Sequence, residues 1–279
     1  MYTLPARFDL AGETLDSSSA GQYSPHHGAP RASPQQGRTL LKRHMARNII
    51  FAPDEFYHLY NRGTDKRKVF LTREDYERFL SLLYLSNNID PVRVDNIRNL
   101  KSQQGRTLLE TALRSPRAQP LVDIGAYCLM PNHFHLLVRE IQDGGISLFM
   151  QKLTTAYTMY FNIRHERSGA LFQGKFKATH ADDDRYLSYL LAYIHLNPIK
   201  LIDPKWKENG IRNQRRAKLY LERYAYSSYL DYLGKERIHN TIINKETLPA
   251  YCDSIKDFKQ STLAWLRYVE HAPARSNLA

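Results

Sequence analysis

The stretch CLMPNHFHLLV, residues 128–138, places two histidines one residue apart in a run that is otherwise mostly apolar. Successive side chains of an extended chain point to opposite faces, so His133, His135 and Leu137 lie on one face of the predicted strand and the residues between them lie on the other. Two imidazoles that share a face are spaced to bind one cation or one phosphate. The stretch therefore predicts a strand that carries a binding site.

The composition favours a polyanionic partner. The chain has 279 residues, a formal net charge of +12 and a pI near 9.6, and a basic surface attracts phosphates whatever their sequence. Cys128 and Cys252 lie far apart without a CxxC pattern, which argues against a disulfide framework and against a thiolate zinc site. This cysteine usage is typical of a reducing cytoplasm.

Nothing in the sequence predicts a membrane protein or a secreted one. No apolar run reaches the roughly 18 residues that a membrane-spanning helix needs. Residues 1–30 lack the apolar centre of a secretion signal. We therefore expect a soluble cytoplasmic protein.

The domain organisation follows from changes in composition along the chain. Residues 1–47 are rich in Ser, Gly, Pro, Ala and Gln, which predicts a disordered tail. We expect one domain over residues 48–235, followed by a C-terminal extension over 236–279. Residues 88–120 lose the apolar periodicity and predict an irregular insertion, and the heptapeptide QQGRTLL occurs both there and in the tail.

The periodic segments predict an alternation of strands and helices. A strand with Phe56, His58 and Tyr60 on one face precedes an amphipathic helix that begins at Thr72. A long helix follows the glycine pair at residues 144–145. A further helix has aspartates at its start and is stopped by Pro198.

The helix before Pro198 carries a second candidate group. Tyr193 and Asn197 are four residues apart and therefore on one face, so a hydroxyl and an amide can meet at one site. Tyr186 and Tyr189 lie close to the same face, and spacing does not select among the three tyrosines. A helical tyrosine is more often half-buried packing with its hydroxyl in water.

The two histidines are the stronger signal. A lone histidine is most often a structural residue, whereas an HxH pair between apolar residues must find partners for two imidazoles at once. Imidazole is a common metal ligand, and two such ligands leave coordination positions open for substrate oxygens. The pair His133 and His135 therefore predicts metal or phosphate binding.

Several motifs in order resemble one family. AYCLMPNHFHLLV, followed by YLLAYIHLNPIK, resembles the single-tyrosine transposases of the HUH superfamily, and especially the REP-associated branch. The resemblance extends to YHLYNRGTDKRKVF, GALFQGKFK and YAYSSYLDYLG, and so covers about residues 48–235 apart from the insertion.

The resemblance implies an α+β domain with a central antiparallel sheet and helices packed on it, the ferredoxin-like HUH nuclease fold. It implies that His133 and His135 are ligands of a divalent metal, Mg²⁺ or Mn²⁺, that Asn197 is the third ligand, and that Tyr193 is the nucleophile. Insertion-sequence members usually have Gln at the third position, so Asn197 follows the REP-associated pattern.

The implied activity is metal-dependent cleavage and rejoining of single-stranded DNA with palindromic or hairpin ends, through a 5′-phosphotyrosine intermediate. Such a protein acts as a monomer or homodimer in the cytoplasm, associated with the nucleoid. No residue stands out as the general base. The residues expected to hold DNA phosphates are Arg62, Lys66, Arg67, Lys175, Lys177, Arg212, Arg215 and Arg216.

Two alternatives belong to other classes. A non-catalytic nucleic-acid-binding module would present sheet aromatics such as Tyr57 or Phe134 to bases, and it explains the charge but not the HxH pair. A metal-dependent phosphodiesterase would use the same histidines with water as the nucleophile. Trapping a covalent protein–DNA adduct separates the second alternative from a transposase.

Overall fold

The computed structural model describes residues 49–91, 107–117 and 119–249, together with Phe258 and Thr262. In this part of the chain four strands form one antiparallel sheet in the order β2-β3-β1-β4. The strands are β1 (Phe56–Arg62), β2 (Val122–Met130), β3 (His133–Glu140) and β4 (Lys177–His180).

The helices complete a ferredoxin-like order of elements. The longer ones are α1 (Arg73–Leu85), α2 (Leu108–Leu113), α3 (Gly145–Arg164), α4 (Asp184–Leu196) and α6 (Gln214–Leu221). Two single turns are α5 (Trp206–Asn209) and α7 (Tyr229–Tyr232). Since α1 separates β1 from β2, and α3 separates β3 from β4, the order is β-α-β-β-α-β with α2 added. The predicted α+β fold class is confirmed.

The sheet buries both of its faces. On one face α1 and α3 pack against Phe134, Leu136 and Val138 of β3. On the other face α4 packs against β2 and β3, next to Leu137. The alternation predicted for the histidine strand therefore holds, and His135 is on the face that α4 covers.

The helix that carries Tyr193 begins and ends as predicted. The Asp183 carboxylate accepts the Tyr186 N–H at 2.7 Å and so caps the first turn of α4. The α-helix ends at Leu196, and a 3₁₀ turn over Asn197–Leu201 follows, with Pro198 in its first positions. Asn197 is thereby held one turn beyond Tyr193 in a buried position.

The expectation of an irregular stretch over residues 88–120 is wrong for residues 108–113. These residues form α2, whose start is capped by Thr107 and Glu110 in a reciprocal pair of hydrogen bonds. Leu109 and Leu113 are four residues apart and buried against α1, so helical spacing and burial explain the element. Residues 92–106 and 118 lie outside the described part of the chain.

The ends of the chain are described only in part. The predicted tail over residues 1–47 lies outside the described residues. After residue 235, 3₁₀ turns over Ile238–Ile242 and Lys245–Thr247 bring Ile242 and Leu248 into the core. In the described ranges no helix combines the length and the apolarity needed to cross a membrane.

Candidate active site

The pairing of β1 with β3 determines what surrounds the HxH pair, His133 and His135. Arg62 lies directly opposite His133, and Tyr60 lies opposite His135. Opposite residues in an antiparallel pair share a face, so Arg62 and Tyr60 join the histidines on the side of the sheet that α4 covers. The rings of His133 and His135 are 5.0 Å apart between centroids, with planes at 90°.

Asn132 orients the His133 ring. The Asn132 Nδ2 donates to the carbonyl of Lys66 at 3.2 Å, which leaves Oδ1 to accept a proton from His133 Nδ1 at 2.6 Å. With Nδ1 protonated, the lone pair of a neutral His133 is on Nε2. A carboxamide is thus in the position of an outer-shell partner that selects the ligating nitrogen.

His58 stands in the same relation to His135. Its Nε2 lies 2.9 Å from His135 Nδ1, and the two rings stack at 5.1 Å. The His135 Nε2 is buried and has no hydrogen-bond partner. A buried polar atom without a partner is costly, and a bound cation would satisfy it if Nδ1 donates to His58.

Burial keeps all three imidazoles neutral. Desolvation lowers the pKa of His58 to about 3 and that of His133 to about 3, and it holds the pKa of His135 well below its ordinary value. Lys200, Arg62 and Lys207 lower the pKa of His133 further through their positive charges. Neutral imidazole is the form that binds a metal ion.

Tyr193 reaches the HxH pair from α4, and Asn197 lies one turn beyond it. The Tyr193 ring lies 5.6 Å from that of His135 and 5.9 Å from that of His58, and its residue is 7% exposed. The Asn197 Nδ2 donates to the Tyr193 carbonyl at 2.8 Å, so Oδ1 is the side-chain atom that can accept or coordinate. Tyr189 lies one helical turn before Tyr193 in α4, and the centroids of the two rings are 5.8 Å apart.

The donor set suits an ion that accepts both nitrogen and oxygen ligands. No group of three or more His, Cys, Asp or Glu side chains able to hold a metal occurs within the described ranges. Two imidazoles and the carboxamide of Asn197, if they bound one ion together, would leave positions open for substrate oxygens.

The structure places Lys207, one of the basic residues that follow Pro198, against Tyr193, which the sequence did not predict. Its Nζ donates to the Tyr193 hydroxyl at 2.9 Å and lies 4.3 Å from the centroid of the Tyr193 ring. Burial raises the pKa of Tyr193 to about 12, while its hydrogen bond with Asn197 acts in the opposite direction. Burial lowers the pKa of Lys207 to about 8.

Some of the predicted phosphate-binding residues lie near the HxH pair. Arg62 lies opposite His133. Lys177 on β4 pairs with Tyr60 on β1, and its Nζ is 6.0 Å from the centroid of the Tyr60 ring. Arg215 and Arg216 are exposed in the first turn of α6, which packs against the 3₁₀ turn after α4. Lys200, exposed in that turn, was missed by the sequence reasoning.

Other predicted residues have different surroundings. Lys66 is exposed in the turn after β1, where Arg67 pairs with Asp65 at 3.3 Å. Arg212 lies 3.6 Å from an Asp203 carboxylate oxygen. Lys175, also expected to hold DNA phosphates, borders a cavity that residues of α3 line.

The position of Lys175 has a local cause. The backbone turns at Gly174, whose φ of +69° breaks the alternation before β4 begins. Lys175 therefore borders a cavity of about 1070 Å³ that Phe51 and Met150 also line, on the face covered by α3.

Comparison with known proteins identifies one family. Residues 92–197 match the family described as IS200-like transposases. A solved structure of a REP-associated tyrosine transposase bound to a REP hairpin aligns with 70% of this chain and 89% of its own, at 10% identity and a TM-score of 0.38. The comparison with curated proteins found no match. Over residues 92–197, the segment that carries the HxH pair, Tyr193 and Asn197, the chain is similar to the IS200-like transposases, which confirms the resemblance predicted from the motifs in that segment.

Proposed function

We propose that the protein is a transposase that cleaves and rejoins single-stranded DNA through a covalent bond between Tyr193 and a DNA 5′ phosphate. The observation that carries the proposal is that α4 places the Tyr193 ring 5.6 Å from the ring of His135, with Asn197 one turn beyond Tyr193. The similarity of residues 92–197 to IS200-like transposases supports it. We assign the reaction to the domain of residues 48–235, with residues 88–120 as an insertion.

The groups that would hold a divalent ion are His133 Nε2, His135 Nε2 and Asn197 Oδ1. The Nε2 of His135 is buried without a hydrogen-bond partner, which fits this role. The Nδ1 of each histidine already has a partner, so Nε2 is the nitrogen left to bind a metal ion. When bound, Mg²⁺ or Mn²⁺ supplies neutralisation of charge on the scissile phosphate.

The reaction is a transesterification, in which one phosphoester bond forms as another breaks. The Tyr193 oxygen attacks phosphorus, the bond from phosphorus to the 3′ oxygen breaks, and the products are a 5′-phosphotyrosine and a free 3′-OH. Because the phosphoester bond is conserved, the 3′-OH of another end can displace the tyrosine and reseal the DNA without ATP.

The substrate that we propose is a single strand with a hairpin end, held by the cations around the HxH pair. Arg62, Lys177 and Lys200 are placed to contact its phosphates. Phosphate contacts position the strand but do not read its sequence. A protein acting on such DNA is associated with the nucleoid in the cytoplasm.

The test is to trap the adduct. Labelled hairpin-bearing single strands, pooled over many flanking sequences, are incubated with the protein and Mn²⁺, and a denaturation-resistant adduct is mapped to its peptide. We expect the adduct on Tyr193. Tyr193→Phe should abolish it while DNA affinity stays within about twofold, because one oxygen is removed and almost no contact area.

The matched control is Tyr189→Phe, which removes a hydroxyl from the same helix and should leave the adduct intact. An adduct on Tyr189 or Tyr186 would show that another nucleophile acts. Cleavage without any adduct would favour a phosphodiesterase that uses water. Binding with neither cleavage nor adduct would favour a non-catalytic nucleic-acid-binding protein.

A further inference from the structure

The amino group of Lys207 contacts the reacting atom of the proposed nucleophile. Lys207 lies in α5, 14 residues after Tyr193, and reaches back over the phenol so that Nζ is 2.9 Å from Oη. The neighbouring Trp206 is buried and anchors this turn, with its ring 5.9 Å from the Lys207 Nζ. A lysine amine normally extends into water because desolvating a charged ammonium is costly.

We propose that Lys207 is the catalytic base that removes the proton from the Tyr193 hydroxyl as the oxygen attacks DNA. The inference rests on the proposed function, since it assigns a proton acceptor to that reaction. The HxH pair and Asn197 do not provide this proton acceptor, because the proposed function assigns their Nε2 and Oδ1 atoms to the cation.

The proton can be followed through both halves of the reaction. In cleavage the neutral Lys207 amine accepts the Oη proton while the bond from Oη to phosphorus forms, and the 3′ oxygen leaves and is protonated by solvent. In rejoining the attacking 3′-OH loses its proton to solvent, the bond from phosphorus to Tyr193 breaks, and the Lys207 ammonium returns a proton to Oη. One residue thus serves as base and then as acid, as reversibility requires.

The electrostatic surroundings support a proton acceptor. Burial lowers the pKa of Lys207 to about 8, while the charge of Glu208 acts in the opposite direction. At pH 7 a group with this pKa is neutral in about one molecule in ten. A phenol, whose ordinary pKa is near 10, needs a base to ionise near neutral pH.

The experiment measures the single-turnover rate of adduct formation on a hairpin-bearing strand. Lys207→Met removes the amine and keeps most of the aliphatic stem, and Lys207→Arg keeps a positive charge that cannot accept a proton. We expect both variants to lose about a hundredfold or more in rate, the size typical of a general base. Lys205→Met, at an exposed neighbouring lysine, should change the rate by less than about threefold.

A second arm separates the loss of a base from a disturbed fold. Tyr193 is replaced by 3,5-difluorotyrosine, whose more acidic phenol needs less help from a base, in the wild-type chain and in Lys207→Met. The fluorinated residue should restore most of the rate to Lys207→Met. DNA affinity, measured by fluorescence anisotropy, should stay within about threefold in every variant.

The outcomes distinguish this inference from the proposed function. If the wild-type protein forms no adduct at Tyr193, the proposed function fails. If the wild-type adduct forms and Lys207→Met retains its rate, only the role of Lys207 is wrong. A Lys207→Arg variant with the wild-type rate would show that charge suffices, and absence of rescue by difluorotyrosine would show that Lys207 acts by holding the structure.

Discussion

At the scale of single residues, His58 links the sheet to the candidate metal site. It lies on β1, is fully buried, and faces His135 Nδ1 at 2.9 Å. If His135 donates that proton to His58, its Nε2 keeps the lone pair that a metal ion needs. His58 is therefore a positioning residue, because it acts on the metal only through His135.

We predict that His58→Phe weakens Mn²⁺ binding to the isolated protein by about 10- to 100-fold, the usual effect of losing an outer-shell partner. Phenylalanine fills the same space but cannot accept the proton from His135. Isothermal titration calorimetry with Mn²⁺ measures the change. His180→Phe is the control, since His180 lies on β4 and contacts Glu55 instead of the HxH pair. Equal Mn²⁺ affinity in wild type and His58→Phe would show that His135 needs no such partner.

The residues of the site differ in how far the sequence could reveal them. His133 and His135 are one residue apart, and Tyr193 is one turn from Asn197, so local periodicity is enough to group each pair. His58 and Lys207 join them only through strand register and through the path of the chain after Pro198. Neither is fixed by local spacing, since one contact spans 77 residues and the other crosses a 3₁₀ turn.

At the scale of elements, Asp75 joins the start of α1 to the end of α3. Its buried carboxylate accepts the N–H groups of Leu71 and Thr72 at 2.8 and 2.9 Å. From α3 and the residue that follows it, Tyr160 donates at 3.2 Å and His165 lies 3.0 Å away. Burial raises the pKa of Asp75, but these hydrogen bonds outweigh it and hold the pKa below its ordinary value.

We predict that Asp75→Ala lowers the free energy of unfolding at pH 7 by about 2–4 kcal/mol, because it leaves buried donors without an acceptor. A depressed folded-state pKa gives stability that is present above the unfolded pKa of 3.8 and is lost as pH falls through the folded value. The difference between wild type and variant should therefore shrink below pH 4. Urea denaturation at several pH values measures it. Glu74→Ala, at an exposed neighbour, should cost clearly less than Asp75→Ala, and an equal loss there would contradict the argument.

The elements also show where sequence periodicity stops being informative. Strands β1 and β3 show alternating side chains, helices α1, α3 and α4 show apolar repeats, and these elements form as predicted. Helix α2 has only six residues, too few to display a repeat within a polar surrounding. It forms because Leu109 and Leu113 pack against α1. The sequence of α2 alone does not reveal this tertiary contact.

At the scale of the whole molecule, positive charge gathers on the face of the sheet that carries the HxH pair. Arg62 and Lys200 both lower the pKa of His133, and Lys177 shares the face through its pairing with Tyr60. We call Arg62, Lys177 and Lys200 the site-facing cations. The net charge of +12 alone does not reveal this grouping, because it does not say which face each charge occupies.

We predict that substituting any one site-facing cation with alanine weakens binding of single-stranded DNA about equally for all sequences. A protein that neutralises phosphates of a single strand loses affinity with salt at a slope of about −0.7 for each contact, because condensed counterions are released. Each variant should therefore flatten the slope of log affinity against log salt by about 0.7. Fluorescence anisotropy over a series of KCl concentrations, with several unrelated strands, measures both quantities.

Arg73→Ala removes the same charge from α1, on the opposite face of the sheet, and should leave the slope unchanged. The same flattening in Arg73→Ala would mean that DNA binds by overall charge, and a loss confined to one sequence would mean that these cations read bases.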